Sequence, residues 1–215
     1  MRRYDYLKRL AGMVSERTLV VCNLQDTTYE WQHLRPGDGN LLRMGMACVT
    51  PVAFGLAASL PGEKVVALDG DGSLLLGLGM LTTLGRYPTG NLVVLVFDNQ
   101  CYYSTTRAMN LDEAQLSATA YGTDLAAMAR AAGVRDALAV DDMAGFEREV
   151  GAALAGDRMA FIVVKVDDIQ PQKVPMPTTD GKENKYRFMR FIEKLVGGSF
   201  LPTEEEKVWK TPGNA

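Results

Sequence analysis

Val66-Ala67-Leu68-Asp69-Gly70-Asp71-Gly72-Ser73 reads as a buried strand that turns through two glycines into the start of a helix. The strand, Val65 to Leu68, is apolar at every position, as expected of a strand covered on both faces. Glycine at 70 and 72 lets the backbone approach a ligand closely. A helix N-terminus at the carboxyl end of a parallel strand presents free N–H groups and a positive dipole end, which suits phosphate. Asp71 adds an anionic oxygen at the same place, and that oxygen opposes phosphate unless a cation lies between them. Mg²⁺ fits, because it takes a few carboxylate and carbonyl oxygens together with phosphate oxygens.

The next strand, Leu92 to Phe97, ends in Asp98-Asn99-Gln100-Cys101-Tyr102. Asn99 offers a neutral side-chain oxygen, and the Cys101 carbonyl, two residues on, can turn toward the same ion. Two adjacent strand ends can thus make one octahedral site from Asp71, Asn99, the Cys101 carbonyl, two diphosphate oxygens and a water.

Further out, strands and helices alternate. Thr18 to Cys22, Ala137 to Val140 and Phe161 to Val166 complete the strands. Met46 to Leu60, Leu74 to Arg86, Thr123 to Ala132, Asp142 to Leu154 and Glu183 to Val196 read as helices. The alternation predicts an α/β fold, a single three-layer α/β/α domain with a mainly parallel sheet over residues 1–200, followed by a frayed tail from 201 to 215. Ser104 to Tyr121 is a long polar stretch after a strand, the mark of a functional loop or lid. Ile169 to Thr179, with three prolines, should run extended over the surface before the last helix.

Composition narrows the function. With 47% apolar and 23% charged residues the chain is of ordinary globular make-up. A net charge of -3 gives no basic footprint for nucleic acid. Cys22, Cys48 and Cys101 have no Cys-x-x-Cys spacing, so neither a zinc site nor a disulfide framework is expected. No apolar run approaches a membrane span and the first residues lack a signal peptide's apolar region, so a reduced, cytoplasmic protein is the expectation.

The segment Phe54 to Ser73 resembles the signature of thiamine-diphosphate enzymes, with Phe54-Gly55, Pro61, an apolar strand and Gly-Asp-Gly-Ser in register. Asn99, 28 positions beyond Asp71, falls at the family's usual spacing. Within that superfamily the chain is most similar to the cofactor subunit of sulfopyruvate and phosphonopyruvate decarboxylases. The likeness extends to Asp98-Asn99 with Tyr102 and Ser104-Thr105, to Ala131-Ala132-Gly133-Val134, and to Pro177-Thr178-Thr179 with Lys182-Glu183-Asn184-Lys185.

The resemblance implies thiamine diphosphate and Mg²⁺ as cofactors, with Gly70, Asp71, Gly72, Ser73, Asn99, Cys101 and Tyr102 at the cofactor and Asp71, Asn99 and Cys101 on the metal. Met46, 25 positions before Asp71, takes the place of the large apolar residue that bends the cofactor beneath its thiazolium ring. It implies decarboxylation of a short 2-oxoacid, sulfopyruvate- or phosphonopyruvate-like. The catalytic glutamate, which protonates the aminopyrimidine, is then expected on a separate pyrimidine-module (alpha) subunit. A carboligase subunit of acetolactate-synthase type and a non-catalytic cofactor-binding subunit are the alternatives.

The chain departs from the family at Tyr103 and Ala47, where glycine is usual, and across Thr106-Arg107-Ala108-Met109-Asn110. Arg107 can pair with a sulfonate or phosphonate or can simply be solvated. Gln25-Asp26-Thr27-Thr28 can offer hydroxyls to the diphosphate or cap a helix running toward Trp31. His33, the single histidine, and Glu30, Glu63 and Glu113 read as solvated surface groups.

Overall fold

The computed structural model describes residues 1–103, 115–167 and 171–199. Six strands form one parallel sheet in the order β2-β1-β3-β4-β6-β5. They are β1 (Leu19–Asn23), β2 (Asn40–Met44), β3 (Val65–Gly70), β4 (Leu92–Asp98), β5 (Ala137–Val140) and β6 (Ala160–Lys165). Around them lie α1 (Arg3–Ala11), α2 (Asp26–Leu34), α3 (Val49–Ser59), α4 (Asp71–Leu75), α5 (Met80–Arg86), a 3₁₀ turn at Ala118–Tyr121, α6 (Leu125–Ala131), α7 (Met143–Ala155) and α8 (Gly181–Val196).

The all-apolar central strands bury side chains on both faces, and the helices divide accordingly. Leu19 and Val21, Val65 and Ala67, and Val94 and Val96 point to a core closed by α3, α5, α6 and α8. Val20 and Cys22, Val66 and Leu68, and Leu95 and Phe97 point to a second core closed by α1, α2 and α7, where Trp31, Tyr6 and Phe146 are fully buried. The result is the expected three-layer sandwich.

Five of the six strands are those expected. β2 was not foreseen: its Asn-Leu-Leu-Arg-Met alternates only loosely in burial and lies at a sheet edge, where one face suffices. The amphipathic α1 was likewise not foreseen. Two expected helices are cut shorter. Leu74 to Arg86 breaks into α4 and α5, and the turn between them leaves Leu76 exposed. The helix expected from Met46 begins only at Val49, because Ala47 stands in the left-handed region at φ 66°. Gln25, Arg43 and Gln100 share that positive φ. All four lie at or just beyond the carboxyl ends of strands, so backbone strain gathers along one edge of the sheet.

The outer edge of β2 is closed by side chains rather than another strand. Asn184, on α8, accepts a hydrogen bond from the Leu42 N–H (2.8 Å) and donates one to the Asn40 carbonyl (2.9 Å), imitating a ladder partner. Arg43 donates to the carbonyls of Thr179 and Pro177, tying down the proline-rich approach to α8. This blunts an edge that otherwise invites pairing with another chain.

Two stability predictions follow from these contacts. Asn184→Leu strips partners from two backbone groups at once and should cost about 2–3 kcal/mol in urea denaturation; a loss under about 0.5 kcal/mol would mean that the edge does not need the side chain. Ala47→Gly removes left-handed strain of roughly 1–2 kcal/mol against a chain-entropy loss of about 0.4–1 kcal/mol, so the variant should melt slightly higher than wild type.

Candidate functional site

The chain leaves β1 toward β2 on one side, then crosses by α3 to β3 on the other. Strand order therefore reverses between β1 and β3, and open α/β sheets bind ligands in the crevice beyond such a point. A cleft of roughly 670 Å³ lies there. Asn23 and Leu24 line it from the end of β1, Asp26 and Thr27 from the start of α2, and Met46 from the turn before α3. Gly70 to Ser73, Phe97, Asn99 and Cys101 to Tyr103 form most of the remainder, with Arg3 and Pro171. Every residue expected to touch a cofactor is thus brought to one cavity.

The register of β3 on β4 places the two halves of the motif side by side, with Gly70 opposite Phe97. The Asn99 amide lies 3.0 Å from the Cys101 carbonyl oxygen and 3.3 Å from Asp71 Oδ1. With its NH₂ turned inward it donates to both; with its oxygen turned inward, three acceptors face one point. In the second arrangement the Asn99 oxygen accepts from the Cys101 N–H at 3.3 Å, and a cation among the three oxygens would complete it. Asp71 is itself 2% exposed, and among the described residues no basic side chain pairs with it. Burial pushes its carboxyl above the ordinary range, partly offset by a hydrogen bond from Ser117, with the nearby Asp98 pushing the same way as burial. One carboxylate and two neutral oxygens suit Mg²⁺, which completes its shell with phosphate and water. No group of three His, Cys, Asp or Glu side chains among the described residues forms a cage of another kind.

Gly72 is required at its position. A Cβ there would lie 2.3 Å from the Tyr102 ring, which packs directly over the glycine. Beneath, Asp69 joins three elements: it accepts from Thr50 of α3 (2.8 Å), from Asn23 of β1 (3.3 Å) and from its neighbour's Gly70 N–H (2.9 Å). Burial raises the Asp69 carboxyl as well, and hydrogen bonds from Ser73, Thr50 and the Gly70 N–H pull it back. Ser73 accepts from the Ala47 N–H at 3.1 Å, which holds the Met46 turn against the glycine loop.

Beyond the expected residues, the site contains several that spacing did not reveal. Ser117 donates to Asp71 Oδ2, and Thr119 lies 3.1 Å from the same oxygen and 2.7 Å from Asp98 Oδ1. Lys165, at the end of β6, pairs with the other oxygen of Asp98. These groups come from distant segments that meet only in the folded sheet, so no local pattern marks them.

Open questions of the sequence also resolve. Gln25 to Thr28 does enter a helix toward Trp31, but no side chain caps it; Asp26 and Thr27 face the cleft, and Thr28 ties the Asn23 carbonyl to the Arg43 N–H. His33 is exposed. The expectation that Glu30 and Glu63 are solvated is wrong. Glu30 is 0% exposed, pairs with Arg3 at 2.8 Å and accepts from the Gln172 N–H, while Glu63 is buried against Arg17. Both sit where an arginine reaches in from another element, a compensation invisible in sequence. Arg107 and Glu113 lie outside the described residues.

The chain is 28% identical over 196 residues to sulfopyruvate decarboxylase subunit beta of Methanocaldococcus jannaschii, covering 90% of this chain and 98% of that one. The beta subunit of Methanococcus maripaludis is 31% identical over 195 residues, with 90% and 99% covered. Phosphonopyruvate decarboxylase of Streptomyces viridochromogenes is 29% identical over 201 residues, and this chain spans 48% of its length. Among solved structures, benzoylformate decarboxylase of Polynucleobacter necessarius superposes with a TM-score of 0.62 at 20% identity, over 80% of this chain and 34% of that one. A putative thiamin diphosphate-dependent enzyme of Mycobacterium smegmatis gives 0.63 at 22% identity, over 78% and 32%. Both share the fold. Residues 26–164, more than half of the chain, match the thiamine pyrophosphate enzyme C-terminal TPP binding domain, and the protein belongs to that family.

Proposed function

We propose that this chain is the diphosphate-binding subunit of a thiamine-diphosphate- and Mg²⁺-dependent decarboxylase, acting on a short 2-oxoacid with a sulfonate or phosphonate at C3. The observation that carries the reading is the convergence of Asp71 Oδ1, the Asn99 amide and the Cys101 carbonyl at the foot of the switch-point cleft. Those three groups hold the Mg²⁺ and, through it, the diphosphate. The Gly70-Asp71-Gly72 backbone provides the close approach, and Met46, which lines the same cleft at the turn before α3, is the residue that would support the cofactor's bend. When bound, thiamine diphosphate supplies the electron sink that loss of CO₂ from a 2-oxoacid requires.

The acid that protonates the aminopyrimidine must then come from elsewhere. Among the described residues no glutamate lines the cleft, and Glu30 and Glu63 are committed to arginines. The beta-subunit relatives, matched over nearly their whole length, support the same division of labour between two chains. The phosphonopyruvate decarboxylases, of which this chain spans about half, support it from a second direction.

Mg²⁺ with thiamine diphosphate at about a hundred times its dissociation constant should stabilise the fold by roughly 2.7 kcal/mol. Asp71→Ala should abolish that gain, read as the ligand-induced shift in melting temperature at millimolar ligand; an undiminished shift in the variant would remove the metal assignment. Purified alone, the chain should release no CO₂ from sulfopyruvate or phosphonopyruvate. Mixing with a pyrimidine-module partner should start turnover, and replacing that partner's catalytic glutamate with Gln should stop it. Turnover by this chain alone would show that the acid lies within it, whereas release of CO₂ by the pair from pyruvate but from neither anionic substrate would defeat the substrate assignment.

A further inference from the structure

Asp71 has two carboxylate oxygens, and the structure turns them to different tasks. Oδ1 faces the Asn99 amide and so belongs to the metal set. Oδ2 is turned away, into a buried cluster formed by Ser117 and Thr119. Both hydroxyl side chains belong to residues that are almost fully buried. Proton accounting separates their roles. Each hydroxyl has one proton to donate, and two carboxylates are within reach. The Thr119 proton goes to Asp98 Oδ1, its shortest contact at 2.7 Å, while the Ser117 proton goes to Asp71 Oδ2. The Ser117 and Thr119 oxygens lie 2.8 Å apart and pack against each other, with both protons committed to the carboxylates. Asp98 is in turn held by Lys165 from β6.

The placement of Ser117 has its own cause. The chain returning at Gln115 pairs antiparallel with the segment that follows β4: Tyr102 N–H donates to the Gln115 carbonyl (2.7 Å), Ser117 N–H donates to the Gln100 carbonyl (2.9 Å), and Cys101 bridges Leu116. The same short ladder therefore fixes Cys101, whose carbonyl faces the metal position, and Ser117, whose hydroxyl grips Asp71. The 3₁₀ turn that follows brings in Thr119.

We propose that Ser117, braced by Thr119 and the Asp98–Lys165 pair, is the positioning residue of the metal site, holding Asp71 Oδ2 so that Oδ1 is presented to Mg²⁺. The inference rests on the proposed Mg²⁺ role of Asp71 and adds to it a dependence on a segment far along the chain. Partners of this kind, which orient a ligand without touching the metal, typically matter by ten- to a hundredfold in metal affinity.

The test is the Mg²⁺ concentration needed for half-maximal thiamine diphosphate binding, measured calorimetrically on the full-length chain, together with the melting temperature without ligand. Ser117→Ala should raise that concentration about tenfold or more. Thr119→Val should raise it by less, and Thr119→Ser, which keeps the hydroxyl, should restore it. A purely structural serine would lower the melting temperature and leave the Mg²⁺ requirement of the folded protein unchanged, and that result would overturn the proposal. If Ser117→Ala does not fold, the contrast between Thr119→Val and Thr119→Ser decides in the same way. Mg²⁺-independent binding by the wild type would overturn the metal reading itself, and this proposal with it; equal Mg²⁺ requirement in wild type and the 117 and 119 variants, alongside loss in Asp71→Ala, would overturn this proposal only.

Discussion

A buried carboxylate without a basic partner is the constraint around which the cleft is organised. Removing a charge from water costs several kcal/mol unless something compensates. Asp98, one strand over, has Lys165; Glu30 has Arg3; Glu63 has Arg17. Asp71 has two hydroxyls and the Asn99 amide, all neutral. Asp69, equally buried, instead takes three hydrogen-bond donors from β1, α3 and its own loop, whereas Asp71 lies close to a second carboxylate, Asp98, an arrangement that a bound cation would compensate.

Everything near Asp71 serves to keep that arrangement narrow. The β3–β4 register sets the separation of Asp71 from Asn99, because a slip by one residue would carry Gly70 away from Phe97. Asp69, two residues earlier, binds β1, β3 and α3 together immediately below the glycine loop. The left-handed backbone at Gln25, Ala47 and Gln100 surrounds the cleft, and a fold tolerates such strain where the surrounding contacts over-determine the conformation. At Ala47 the contact is visible: its N–H is held by Ser73, the residue that closes the motif.

Legibility in the sequence followed the range of the interactions. The buried strands were readable because every residue in Val65 to Leu68 and Leu92 to Phe97 is apolar, a local property. The cofactor loop was readable because glycine, aspartate and asparagine each do something at those positions that few residues can. β2 and α1 were not, since an edge strand and a surface helix need only one apolar face and tolerate a blurred pattern. The start of α3 was misplaced by three residues because no composition rule announces an alanine in the left-handed region. The buried state of Glu30 and Glu63 was missed for a deeper reason: it depends on arginines 27 and 46 residues away.

Ser117 lies at the far end of that range, and its place in the fold bears on how the cleft is completed. It is held in register by the strand end that carries Asn99 and Cys101, and it follows directly from the polar stretch after Tyr103. A hydrogen bond from Ser117 to Asp71 makes the glycine loop and residues 115–117 parts of one mechanical unit. Any displacement of residues 115–117 must either break the two backbone bonds to Gln100 and Tyr102 or drag the end of β4 with it.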